Sequence, residues 1–527
     1  MVKIGVILQD IINKVRKYYT GHPLRAILLA GLFFRLLSVI FSKGFGWIDD
    51  QFLVIEIAQS WVDGTDFYKW LPWTPGNNGP AGFSFFYPGL HYLLFKLLEW
   101  VRITDPQAKM YVVRMLHALW SLLTIKYGYE LTLHYSNKKT ANRVGWLLAL
   151  FWMFPFLSVH NLVEFVCVPL LMKAILMIAR GDKKSVVIYW LWAGFIFGLA
   201  FDIRYQTVLI SGAVGLVMLT RNQWKEGILV AIGFLLSVVL IQGGIDFFVW
   251  GKPFAQLQTY FLYNINHASE YTTGPWYNYI LFLLAVLIPP VSLYLLFGFF
   301  RSYRKLFILF LPILVFFAFH SWYPNKQERF ITTLIPFIFI SGIIGWQMIV
   351  DGLFNPVFIK KWIRASWIFF WVVNFILLIP VSLTYSKKAR VESMSYLSAY
   401  PSLNYFIIED INKDVLRFPP QFYLKKWIHY DALLKNSNKE AFLNMKDWSQ
   451  AKNQPGFVLF LQPDNLDQRV KWMKKVFPGL QYETTIQPGW IDKILHWLNP
   501  INDNQNIYIY RNKTVMLKKK TYDKNKK

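Results

Sequence analysis

Residues 26–41 read AILLAGLFFRLLSVIF, and the fold follows from how that stretch is understood. Arg35 and Ser38 are its only polar side chains, and as a helix it approaches the roughly 20 residues that cross a bilayer core about 30 Å thick. No small-residue cleavage site follows it, so it reads as a retained span and not as a signal peptide. Blocks of similar character centre near residues 92, 122, 150, 170, 193, 212, 238, 289, 312, 339 and 375. Of the 527 residues 55% are hydrophobic and only 16% charged, where a soluble chain carries about a quarter charged. The pattern predicts an α-helical polytopic membrane protein with about 11 to 13 transmembrane helices.

Charge gives the orientation. The 56 Lys+Arg against 30 Asp+Glu leave a formal net charge of +26, which in this setting argues for basic cytoplasmic loops and a phosphorylated substrate, not for nucleic acid. Basic connectors lie at Lys138-Lys139, 180–184, 221–225, 301–305 and 360–364. Placing them in the cytoplasm puts 42–84, the neighbourhood of Asp202 and Arg204, 250–278 and 320–329 on the outer face. Lys138-Lys139 conflicts with this parity, because two apolar blocks separate it from the outer 42–84 loop. Residues 1–24, with Lys3, Lys14, Arg16 and Lys17, read as a cytoplasmic amphipathic segment. The single cysteine, Cys167, excludes an intrachain disulfide, and no Cys/His metal spacing exists.

Composition changes after 385. Phe406-Ile407-Ile408 and 457–461 read as short buried strands, 467–476 has helical spacing, and 507–510 suits a last strand. Together they predict a small extracytoplasmic α/β domain over 386–517, followed by a charged tail over 518–527. The stretch 42–84, with Trp47, Trp61, Trp70 and Trp73, reads as an ordered loop at the membrane interface, where indole rings settle.

Several residues are equipped for chemistry. Asp49 and Asp50 stand at the mouth of the first span, either as a carboxylate base or as a solvated acidic turn. Arg35 lies within a span, where charge is costly and meets a lipid phosphate or an acidic side chain, or snorkels. His160, Asn161 and Glu164 lie between apolar blocks, facing a cavity or making a polar contact between helices. Asp202 and Arg204 either pair with each other or leave Arg204 to a phosphate. The aromatic loop 250–278 carries Lys252, His267, Trp276 and Tyr277. In Tyr323-Pro324-Asn325-Lys326-Gln327-Glu328-Arg329-Phe330, a helix start with Lys326 and Arg329 on one face would suit a phosphate, or serve as a polar interface cap; Glu328 lies in the same turn.

Taken in order across roughly 25–350, these segments resemble the polyprenol-phosphate-mannose-dependent mannosyltransferases of the GT-C superfamily, which build N-glycan precursors and glycosylphosphatidylinositol anchors and have bacterial relatives. Trp47-Ile48-Asp49-Asp50 is similar to that family's His-Pro-Asp-Glu motif, Tyr87-Pro88-Gly89-Leu90 to its Tyr-Pro-Leu entry, and Gly251-Lys252-Pro253 to its Gly-Lys loop. Pro275-Trp276-Tyr277 is similar to its Pro-Trp-Tyr segment, and 325–330 to its His-Lys-Glu-Glu-Arg-Phe motif. The chain departs from the pattern at Trp47, Ile48, Asp50, Asn325 and Gln327.

The resemblance implies a catalytic base at Asp49 or Asp50 and a donor phosphate held by Lys326 and Arg329, with Arg204 beside them. It implies a polyprenyl-phosphate sugar donor, with mannose as default, a glycolipid or lipid-linked oligosaccharide acceptor, and no obligatory metal or other cofactor. The expected setting is a bacterial inner membrane, or the endoplasmic reticulum in a eukaryote, with an extracytoplasmic active site. A related transferase acting on protein or lipid A, or a lipid-linked glycan flippase, is the alternative; no internal repeat supports a transporter.

Overall fold

The computed structural model describes residues 19–182, 186–352, 357–500 and 504–520. Most of the basic N-terminal segment and residues 521–527 of the tail fall outside it. The described chain divides into two compact units. The first comprises the described residues up to Ile40, with Lys69–Leu90 and Val112–Leu383; the second comprises Phe41–Tyr68, His91–Tyr111 and the described residues from Thr384 onward.

The first unit is helical and apolar. Among the described helices, Pro23–Phe41, Trp224–Trp250, Ile335–Gly352 and Val357–Ser382 are long and apolar enough to cross a membrane. Asn278–Val286 and Val291–Arg301 form a further span-length pair bent by 119°. The bend falls where Pro289 and Pro290 remove two backbone donors and block helical continuation. Val187–Ile203, Tyr205–Thr220 and Phe307–Trp322 are shorter apolar helices. This is an integral membrane protein.

Small residues set the helix packing. A Cβ added to Gly194 would lie 1.9 Å from the Val230 carbonyl oxygen, and one on Gly233 would lie 2.0 Å from that of Leu191. The helices Val187–Ile203 and Trp224–Val238 therefore meet backbone to backbone, the geometry that gives van der Waals packing its strength in lipid. Where helix Lys138–Leu150 breaks before Phe154–Val159, Asn374 repairs the gap. Its Nδ2 donates to Leu150 O (2.8 Å) and its Oδ1 accepts from Trp152 N (2.9 Å).

Arg35 serves the same end. It is fully buried. Nε donates to Ser121 Oγ (2.7 Å), Nη1 to the carbonyls of Gly31 and Ala149 (both 3.1 Å), and Nη2 to that of Leu148 (3.4 Å). The expected phosphate, acid or snorkelling role is replaced by a staple that satisfies carbonyls at a helix end.

The second unit holds a five-stranded sheet, with β1 (Tyr405–Asp410), β2 (His429–Leu434), β3 (Phe457–Leu461), β4 (Leu480–Ile486) and β5 (Ile507–Asn512) in the order β2-β1-β3-β5-β4. β2, β1 and β3 run parallel, and β5 is antiparallel to both β3 and β4. Every residue of β1 and β3 is buried, as central strands covered on both faces should be. Ile407, Val458 and Phe460 pack with Met473 and Phe477 of helix Leu466–Val476 and its end. Arg469 of that helix makes a buried ion pair with Glu409 and donates to the carbonyls of Leu461, Gln462 and Asp464, so the pair sits in a satisfied hydrogen-bond network.

Early segments complete this unit. Ser386 N donates to Lys43 O (3.0 Å), and a Cβ on Gly44, at φ +78°, would lie 1.9 Å from Ser386 O, so only glycine fits there. The expected loop after the first span is partly helical: Asp50–Ile55 is π-helical and Glu56–Val62 is α-helical. Phe52, Val54, Ile55, Ile57, Ala58 and Val62 are buried, and that apolar run forms the helix despite the turn-rich sequence around it.

Candidate functional site

In the first unit the site starts from a broken helix. The chain interrupts itself between Phe154–Val159 and Val163–Val166, and the break leaves His160, Asn161 and Glu164 buried. Glu164 is 1% exposed and makes an ion pair with Nη1 of Arg204. Its backbone oxygen accepts from Thr333 Oγ1 at 2.9 Å.

Arg204 caps the C-terminus of Val187–Ile203, where the backbone turns extended at φ −148°, ψ 106°. Asp202, two residues earlier, accepts from Ser237 Oγ at 2.9 Å. The expected Asp202–Arg204 pair is therefore replaced by Glu164–Arg204, because the turn at Arg204 sends the guanidinium toward the broken helix.

Arg329 opens the short helix Arg329–Thr332. Its Nε lies 3.6 Å from Glu164 Oε1 and donates to Gln327 Oε1 at 2.8 Å. Both guanidiniums rest over the Phe330 ring, at 5.2 Å for Arg204 and 5.4 Å for Arg329. Two cations thus share one carboxylate, leaving net positive charge in a buried place. Nε and Nη2 of Arg204, and Oε2 of Glu164, are buried without a hydrogen-bond partner among the described residues. Unspent donors on a buried guanidinium are costly unless something else accepts from them. Such a fork matches two oxygens of a phosphate.

Lys326 is differently placed. The chain at Asn325 is extended and bridged to Thr273, and Lys326 N donates to Thr272 O at 2.8 Å. The ammonium turns back on the end of Phe307–Trp322, donating to the carbonyls of His320 (2.9 Å), Ser321 (2.7 Å) and Tyr323. A cation among the last carbonyls of a helix is a C-cap. The helical turn expected to carry Lys326 and Arg329 on one face does not form, since Pro324 opposes helix at the preceding residue and the helix begins only at Arg329.

The second unit carries its own polar cluster. Glu56 is fully buried, accepting from Tyr68 Oη (2.5 Å), Phe422 N (3.2 Å) and Gln51 Nε2 (3.3 Å). Burial pushes its carboxyl up to about 7, with these donors and Arg390 opposing. Asp50 is buried and Asp49 half-buried at the N-terminus of the π-helical turn. Burial brings the Lys387 ammonium down to about 8, helped by Arg390 and opposed by Asp492 and Asp50. Lys387 donates to the carbonyls of Phe45 (3.2 Å) and Gly46, which fixes the chain leading into Asp49 and Asp50. Among the described residues no group of three or more His, Cys, Asp or Glu is placed to hold a metal.

The model of the Alg9-like mannosyltransferase family matches residues 26–427. The chain belongs to this family. Among characterised relatives, it is 28% identical to human α-1,2-mannosyltransferase ALG9 over 190 residues, 31% of this chain and 29% of that protein. It is 24% identical to the Danio rerio GPI α-1,2-mannosyltransferase 3 over 334 residues, 61% of each. The matches therefore span less than two thirds of these relatives' lengths. In fold, it is similar to ArnT from Cupriavidus metallidurans bound to undecaprenyl phosphate, with a TM-score of 0.61 at 12% identity, covering 95% of this chain and 99% of that one. It is also similar to the Archaeoglobus fulgidus oligosaccharyltransferase, with a TM-score of 0.54 at 15% identity, covering 83% and 67%. The architecture is GT-C.

The remaining candidates of this Alg9-like chain are scattered. Lys252 is exposed and donates to Gln258 Oε1 at 3.0 Å. His267 caps helix Ala255–Asn266, its ring stacked 4.4 Å from that of Tyr263. Trp276 and Tyr277 are exposed neighbours in edge-to-face contact, and Glu328 is exposed before Arg329. Sequence reasoning passed over Glu56, six residues beyond Asp50, and over Lys387 and Arg390, which lie far from the recognisable motifs. It also passed over buried Asp246, which accepts from Gln242 Nε2 (2.9 Å) and Gln256 N (3.1 Å) beside a π-helical turn. π-turns of this kind concentrate at functional positions, and that was a signal only the backbone could give.

Proposed function

We propose that this protein transfers a hexose, by default mannose, from a polyprenyl-phosphate sugar to a glycolipid or lipid-linked oligosaccharide on the extracytoplasmic face, as a chain of about 11 to 13 spans. The observation that carries the reading is the buried guanidinium pair of Arg204 and Arg329, with two nitrogens of Arg204 unspent. Family membership supports the sugar, and the undecaprenyl phosphate bound to the similarly folded ArnT is of the carrier class that the proposed donor would release.

Arg204 takes the donor phosphate through Nε and Nη2, with Arg329 balancing Glu164. Asp49 or Asp50 accepts the proton of the acceptor hydroxyl. The oxygen attacks the anomeric carbon from the face opposite the phosphate. The bond from that carbon to the phosphate oxygen breaks, and its electron pair leaves on the polyprenyl phosphate. The product carries a new glycosidic bond with inverted configuration. The leaving group is already a stable anion, so the guanidiniums suffice to hold its charge.

Asp49→Ala and Asp50→Ala, assayed separately for transfer from polyprenyl-phosphate mannose, should reduce the rate by about 10²–10⁴-fold in at least one variant. Full activity in both would overturn the base assignment.

A further inference from the structure

Helices Lys138–Leu150, Ile335–Gly352 and Val357–Ser382 of the first unit border a groove of about 1290 Å³. That exceeds the roughly 300–1,000 Å³ typical of pockets for small soluble ligands. One end carries four exposed cations, Lys139, Arg143, Lys360 and Arg364, and among the described residues no carboxylate lines the groove. Asp351, close in sequence to the lining residue Gln347, is held by Gln347 Nε2 at 2.5 Å. Arg143 is positioned by its bond to Gln347 Oε1 at 2.7 Å. Beyond the cations the wall is apolar, with Trp146, Trp346, Trp367, Trp371 and Phe375. Trp346 is held in place by stacking on Tyr294, with ring centroids 4.3 Å apart at 9°.

The polarity of this groove is that of a lipid molecule. From Arg364 to Phe375 the helix advances 11 residues (375 minus 364), or about 16 Å at about 1.5 Å per residue. That is about half of a bilayer core of about 30 Å, the depth of one leaflet. A cationic end and an apolar wall one leaflet deep suit a phosphodiester headgroup with acyl chains. A polyprenyl chain is far longer than this wall, and neither Arg204 nor Arg329 lines it.

We infer that this groove is a binding site for an anionic phospholipid, its headgroup held by Lys139, Arg143, Lys360 and Arg364 and its acyl chains lying along the tryptophan wall. Basic pockets between membrane helices select lipids by this chemistry. The inference is independent of the transferase reading.

The test is native mass spectrometry of the full chain, reconstituted in nanodiscs of phosphatidylcholine with and without phosphatidylglycerol and then released into detergent. The wild type should retain phosphatidylglycerol over phosphatidylcholine. The variant Lys360→Glu/Arg364→Glu should retain at least about tenfold less. Its thermal midpoint should also stop rising when phosphatidylglycerol is present. The charge-neutral Lys360→Gln/Arg364→Gln should fall between the two, and it provides the readout if charge reversal prevents folding. Equal retention of the two lipids by the wild type, equal retention by wild type and neutral variant, or displacement of the retained phosphatidylglycerol by added polyprenyl phosphate would each overturn the inference.

Discussion

Glu164 and Glu56 are both carboxylates sealed from water, and the chain treats them in opposite ways. Glu56 is surrounded by neutral donors, a phenol, a backbone amide and a carboxamide, and both its oxygens are engaged. Its carboxyl rises to about 7, and the cluster is closed on itself. Glu164 faces two guanidiniums and answers only part of their hydrogen-bonding capacity. Burial and ionisable groups are common to both. What separates a fastening from a site is the donor left over: a closed network gains nothing from a ligand, while an open one is completed by it.

Removing the open donors should have the largest effect. Arg204→Ala is expected to lower transfer by about 10²–10³-fold, as loss of one charge-stabilising donor does. It should also destabilise the fold by about 3–5 kcal/mol, because Glu164 loses its main partner. Arg204→Ala combined with Glu164→Gln separates the two consequences: thermal stability should largely return and transfer should not. Recovery of transfer in the double variant would make Arg204 a counterion only.

Lys326→Met should cost about 1–2 kcal/mol, the value of a helix cap, with transfer per folded molecule changing less than about tenfold. A loss as large as that of Arg204→Ala would return Lys326 to the phosphate. Glu56→Gln should leave transfer intact, and its effect should appear only in the pH dependence of stability. With a folded value near 7 against an ordinary value of 4.5, wild-type Glu56 keeps its proton in the folded state after the unfolded chain has released it. Its contribution is complete below 4.5 and disappears as pH rises through about 7. Melting scans from pH 5 to 8 should show a decline in the wild type that is flattened in Glu56→Gln.

The same physics explains what could be read from the chain directly. β1 and β3 were legible because strands buried on both faces are continuous apolar runs, and helix Leu466–Val476 because its apolar spacing is regular. β2 and β4 are edge strands with polar, partly exposed residues, and their sequences HYDALL and LQYETTI carry no comparable signal. Arg204 was legible as a cation at a helix end, but its partner is 40 residues earlier (204 minus 164), in a helix break that only packing reveals. Arg35 looked functional because charge in a span is costly, yet the cost is met by carbonyls over 100 residues away. Lys326 followed helical spacing that the preceding proline and the bridge to Thr273 cancel.

Whether the unspent donors of Arg204 hold the phosphate of a lipid-linked sugar can be measured in a single transfer assay. Wild type and Arg204→Ala/Glu164→Gln, matched for thermal stability in nanodiscs, are given radiolabelled polyprenyl-phosphate mannose with total membrane lipid as acceptor. Label should move into a new lipid or glycan fraction with the wild type and fall by about 10²–10³-fold with the variant. Equal transfer by the two proteins, or no transfer and no donor binding by the folded wild type, would contradict that role of Arg204.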